Sequence, residues 1–76
     1  SVLVERYKLS EREMDVLILI LSAYSASRIA EALFISNNTV KAHTKNLYSK
    51  LGVHSKQELL DLVALVYDEG TVKRDA

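Results

Sequence analysis

Proline is absent from this chain, and its only glycines are Gly52 and Gly70. Without those two punctuators the ends of regular structure must be set by capping side chains, which favours helices over strands. Two stretches have the form of a capping box, Ser10-Glu11-Arg12-Glu13 and Ser55-Lys56-Gln57-Glu58. In each, a serine hydroxyl can accept from an amide three residues on while the glutamate reaches back. Ser25 and Ser36 are further N-caps, and Gly52 stands where a C-terminal glycine cap is expected.

Four helical stretches follow from these marks. The first opens at Ser10 and runs to about Ala23, with Leu9 as a staple and Met14, Leu17, Ile20, Leu21 and Tyr24 on one core face. The second, short and starting after Ser25, holds Ile29, Ala30 and Leu33 on one side. The third runs from Ser36 to Leu51 with Val40, Leu47 and Leu51 on one stripe beside Thr44 and Tyr48. The fourth carries Leu59, Leu62, Val63 and Val66 inward and ends near Asp68. The expected fold class is all-α, a four-helix bundle. Residues 1–8 precede the first cap and lack helical period, so they read as a linker or N-terminal extension; 9–69 form the domain, and 70–76 a frayed tail.

A chain of 76 residues holds one domain with a small core. With no cysteine there is no disulfide framework, thiolate metal site or cysteine nucleophile, in keeping with a reducing, cytoplasmic setting. The hydrophobic share of 49% and charged share of 26% suit a soluble folded domain. The longest apolar run, Val16 to Leu21, is far short of the roughly 20 residues that span a membrane, so no membrane contact is expected of this segment. Catalysis has no candidate: Ser10, Ser25, Ser36 and Ser55 are accounted for as caps. His43 and His54 fall on a helix and in a loop with no carboxylate placed to complete a site, so no metal or cofactor is expected. His43 is expected to pack at the helix edge with one nitrogen bonded.

The formal net charge is +0, which at first argues against nucleic acid. Its distribution changes that reading. Both ends of the chain carry an excess of acid, whereas residues 36–57 hold Lys41, Lys45, Lys50 and Lys56 and no Asp or Glu. A short helix, a tight turn and a longer helix with a cationic outer face describe a helix-turn-helix unit. The DNA major groove, about 12 Å wide, admits one α-helix. Lys41 and Lys45, one turn apart, can then face guanine or a phosphate, and Ala42 between them can touch a thymine methyl. Lys50 and Lys56 flank the far end, where contact with the DNA backbone is expected.

These residues resemble the LuxR-type (GerE-like) DNA-binding domain of bacterial transcription regulators over roughly Leu9 to Val63. Leu9-Ser10-Glu11-Arg12-Glu13 is similar to the family's opening, and Val16-Leu17 and Ile29-Ala30 to its first two helices. Ser36-Asn37-Asn38-Thr39-Val40-Lys41-Ala42-His43 resembles the recognition-helix signature, and Lys50-Leu51-Gly52-Val53 closes the match. The resemblance implies a four-helix, wingless domain serving as a response-regulator output module, with its third helix in the major groove. It implies Lys41, Ala42 and Lys45 against bases and Ser36, Thr39, Lys50 and Asn46 against the backbone. It further implies a homodimer through the fourth helix on a pseudo-palindromic operator, RNA polymerase as a partner, and an N-terminal regulatory domain ahead of residue 1.

Two positions depart from the family pattern. Ala23 stands where glycine is common, so a less sharp bend is expected there. Ile18 lies on the polar side of the first helix; it is expected to be exposed, either as a single surface apolar residue of the common kind or as a docking point for the regulatory domain. The fourth helix has a second apolar stripe, Leu60, Ala64 and Tyr67. Either residues 1–8 fold back on it through Leu3 or Tyr7, or it is the dimer contact. The reading from another class is a helical protein-interaction module that keeps the helix-turn-helix shape without binding DNA, which the +0 charge and acidic fourth helix allow.

Overall fold

The computed structural model describes residues 2–71, with side chains through residue 67. It is built of α1 (Val2–Tyr7), α2 (Glu11–Leu21), α3 (Ala26–Leu33), α4 (Asn37–Leu51) and α5 (Lys56–Thr71). The four main helices are those expected, and there is no strand among the described residues. Helix α5 continues past Asp68 to Thr71, so Gly70 does not mark its end; the rest of the expected frayed tail, 72–76, lies outside the described residues.

Helix α1 is a correction to the reading of 1–8 as a segment without helical structure. Six residues are too few to display a period, yet Leu3 is completely buried and Val4 and Tyr7 pack against the core. Burying a leucine contributes about 1.5–3 kcal/mol, enough to hold a helix far too short to persist alone.

The links between helices share one construction. Lys8, Ala23, Phe34 and Gly52 all have left-handed φ, at 58°, 67°, 59° and 71°. In each case the next amide turns back onto the preceding helix: Leu9 N–H to the Val4 carbonyl (3.3 Å), Tyr24 to Leu19 (3.0 Å), Ile35 to Ala30 (3.0 Å) and Val53 to Tyr48 (3.0 Å). This is the Schellman arrangement, in which a left-handed residue satisfies carbonyls a helix end would otherwise leave bare. The residue after it enters the core or packs on it, as Leu9, Tyr24, Ile35 and Val53 all do. A serine then caps the next helix. The bend at Ala23 is therefore as sharp as a glycine would make it, at about 1–2 kcal/mol of left-handed strain. Stacking of the Arg28 guanidinium 4.2 Å from the Tyr24 ring centroid supports that turn.

The first capping box is formed as expected: Glu13 N–H donates to Ser10 Oγ (3.1 Å) and Ser10 N–H to Glu13 Oε1 (2.9 Å). The second is shifted. Glu58 N–H donates to Ser55 Oγ (3.1 Å), but Glu58 Oε1 accepts from His54 N–H (2.8 Å) rather than from Ser55.

Helix α4 packs against α2 and α3 and organises the core. Val40, Leu47 and Leu51 meet Val16, Leu17 and Ile20 of α2, Ile29 and Ala30 of α3, and Leu59, Val63 and Val66 of α5 in one buried cluster. Leu21, expected on the core face, is exposed, and Val16 is buried instead. The inward arc of α2 centres on Val16, Leu17 and Ile20, and Leu21 is at its last residue, where the chain turns away.

Candidate nucleic-acid interface

Helix α4 is held at both ends by its own sequence. Ser36 Oγ accepts from Thr39 N–H (3.0 Å), and Gly52 closes the other end with its N–H on the Ser49 carbonyl (3.2 Å). Between them Val40, Leu47 and Leu51 are buried, and His43, Thr44 and Tyr48 are half-buried. Burial pushes the Tyr48 hydroxyl pKa up from its ordinary value, so it stays neutral.

Lys41, Ala42 and Lys45 are all exposed among the described residues. Neither lysine forms an ion pair among the described residues, so both ammonium groups are available. A helix with its side chains is about 10–12 Å across, which matches the groove. Asn38 and Ser49 are exposed on the same outward line; the sequence reading puts Ser49 on the face of Lys41, Ala42 and Lys45 but gives Asn38 no contact. Their spacing from Ala42 and Lys45 was the available signal.

The expected backbone contacts divide into three kinds. Ser36 and Thr39 sit at the start of α4 with their hydroxyls hydrogen-bonded to each other at 2.9 Å. Asn46 and Lys56 are exposed, and their side chains have no hydrogen bond or ion pair among the described residues. Lys50 is different, because its Nζ donates to Glu13 Oε1 at 2.7 Å and to the Lys8 carbonyl at 3.1 Å. Two of its three N–H groups are thus used inside the domain, to which sequence reasoning gave no clue, Glu13 having been explained by its cap alone.

His43 is half-buried at the helix edge, but its ring has no hydrogen-bond partner among the described residues, contrary to expectation. His54 is exposed with Nδ1 3.4 Å from Glu58 Oε1. Beyond α4, Ile18 is exposed as expected and lines a shallow hollow of about 260 Å³ with Asp15, Leu19 and Leu33. Leu60, Ala64 and Tyr67 are exposed on α5, while Leu3 of α1 is buried in the core. Phe34 is 94% exposed in the turn before α4, another feature the sequence did not mark.

No helix among the described residues is long and apolar enough to cross a membrane. The sequence profile of the luxR family of bacterial regulatory proteins matches residues 7–63. Among curated proteins, the chain is 47% identical over 57 residues to the Fimbriae Z protein of Escherichia coli, covering 75% of this chain and 27% of that protein. It is 49% identical over 53 residues to the Fimbriae Z protein of Salmonella typhimurium, covering 70% and 25%. It is 47% identical over 53 residues to the Oxygen regulatory protein NreC of Staphylococcus aureus, covering 70% and 24%. The chain thus spans about a quarter of the length of these relatives. No solved structure gives a significant match. The helix-turn-helix of α3 and α4, the free cationic face of α4 and a match over most of the chain agree: this chain belongs to the luxR family of bacterial regulatory proteins, as its non-enzymatic helix-turn-helix DNA-binding domain.

Proposed function

We propose that the domain binds double-stranded DNA sequence-specifically, with α4 lying in the major groove and α3 bracing it. The observation that carries this reading is the outward face of α4, where Lys41, Ala42 and Lys45 are exposed and both lysines lack an acidic partner among the described residues. In that placement Lys41 and Lys45 donate to guanine O6 and N7, and Ala42 approaches a thymine methyl. Ser36, Thr39, Asn46 and Lys56 lie against the phosphates and fix the register. Lys50 has one N–H left for a phosphate, while its other two hold α4 onto α2 and the end of α1.

The apolar stripe of Leu60, Ala64 and Tyr67 supports a homodimer through α5, which would place two copies of α4 on half-sites about one helical turn apart in a pseudo-palindromic operator. The greater length of the relatives supports an N-terminal regulatory domain ahead of this segment, with Ile18 on the face toward it. As an output domain the chain would act in the cytoplasm and address RNA polymerase. Titrating the domain against labelled random duplex at low and moderate salt tests the central reading. A DNA-binding module keeps a salt-sensitive non-specific affinity, whereas a helical interaction module does not. No retained affinity at low salt would reject it.

A further inference from the structure

We infer that Asn38 is a base-reading residue of this domain and selects adenine at one position of each half-site. The inference rests on the groove placement of α4 proposed above. On a helix of 3.6 residues per turn, positions 38, 42, 45 and 49 follow at steps of four, three and four and form one line. That line lies opposite Val40, Leu47 and Leu51, which are buried. Asn38 therefore points as directly outward as Ala42 and Lys45 do, and more directly than Lys41, which stands on the flank.

Among the described residues the side chain holds nothing else in place. Ser36 already caps α4, through Thr39 N–H at 3.0 Å. Asn38 is exposed, and its carboxamide has no hydrogen-bond partner among the described residues. A carboxamide presents a donor and an acceptor in one plane. In the major groove adenine alone shows the matching pair, N7 accepting and N6–H donating; guanine offers two acceptors, cytosine a donor and thymine an acceptor. At 1.5 Å per residue, Asn38 lies about 6 Å from Ala42 and about 10 Å from Lys45 along the axis. With base pairs spaced about 3.4 Å apart, the adenine falls roughly two base pairs from the pair met by Ala42 and three from that met by Lys45.

Selection of bound duplexes from a random pool, run in parallel on the wild-type domain, Asn38→Ala and Asn38→Asp, tests this. The wild-type motif should contain an adenine column that disappears in Asn38→Ala while the other columns remain. Asn38→Asp should exchange that adenine for cytosine, because a carboxylate only accepts and cytosine N4 donates. On the wild-type site Asn38→Ala should bind about 5- to 150-fold more weakly. Its dependence on salt should not change, since no charge is removed. Identical motifs for wild type and Asn38→Ala overturn the assignment, as does uniform weakening on all sequences. If the wild-type domain retains no duplex at all, the DNA reading itself has failed; retention with unchanged columns defeats only the role of Asn38.

Discussion

Lys50 in α4 donates to the carboxylate of Glu13 in α2 at 2.7 Å, and the same ammonium reaches the carbonyl of Lys8 at 3.1 Å. Glu13 is only 5% exposed and also accepts the Ser10 amide, so one lysine ties the far end of α4 to the start of α2 and the end of α1. Removing it strands a buried carboxylate, a larger penalty than the attraction alone. The side chain of Lys50 is itself 38% exposed, and solvent screening tempers the loss. Lys50→Ala should therefore destabilise the domain by about 1–3 kcal/mol. That corresponds to a fall in Tm of about 4–8 °C per kcal/mol for a domain this size. Thermal unfolding with DNA absent measures it. An unchanged Tm together with weaker DNA binding would make Lys50 a phosphate contact instead.

The same carboxylate gives the domain an acid limb. The hydrogen bond from Lys50 is the main reason that Glu13 titrates below the usual glutamate range; the Ser10 amide adds to it, and burial opposes both. Its folded pKa lies below its unfolded value, so its contribution is complete above the ordinary glutamate pKa of about 4.3. It is lost as pH falls through the lower folded value. Urea midpoints should fall between pH 5 and about 3 more steeply in the wild type than in Glu13→Gln. Parallel curves for the two proteins would show that Glu13 contributes no such limb.

Left-handed conformation at three residues that are not glycine is a reserve of strain. Ala23→Gly removes the clash of Cβ at φ 67° and gives back part of the gain in chain entropy, for a net stabilisation of about 0.5–1 kcal/mol. Phe34→Gly should act the same way, since Phe34 is 94% exposed and loses little packing. Gly52→Ala should destabilise by about 1 kcal/mol purely through the backbone, because a Cβ there meets nothing within 4 Å. Denaturant midpoints of the three variants give the comparison. A destabilised Ala23→Gly would mean that the Ala23 methyl does something the turn requires.

For DNA binding, Lys41→Ala and Lys45→Ala should each weaken the selected site by about 1–3 kcal/mol and relax preference at the base that each reads. Equal losses on every sequence would place both lysines on phosphate. With roughly three or four phosphates neutralised per subunit, a dimer should show a log–log salt slope between about −5 and −7, measured by anisotropy.

A charge set into the exposed stripe of α5 tests the dimer without touching the core. Leu60→Glu and Ala64→Glu should leave helicity intact, since both positions are exposed. Each should convert cooperative binding of two half-sites into binding of single ones. A small interface on this stripe would be compatible with a monomer in dilute solution. Gel mobility on one-site and two-site duplexes reads the difference, and unchanged cooperativity would move the contact elsewhere.

Local chemistry alone specifies much of this protein. Serine caps and the apolar spacing along each helix act within one or two turns, so the four main helices, the buried stripe of Val40, Leu47 and Leu51 and the acid-free stretch holding Lys41 and Lys45 could be read residue by residue. The relations between distant segments could not. That Leu3 is buried deeply enough to make 2–7 helical depends on a surface supplied by other helices. That Ala23 and Phe34 turn left-handed depends on Tyr24 and Ile35 gaining more by packing on the core than the backbone loses in strain. That Lys50 serves Glu13 depends on an approach across 37 positions of sequence. Spacing reports which side of its own helix a residue occupies, whereas partners across the core are chosen only when the helices pack.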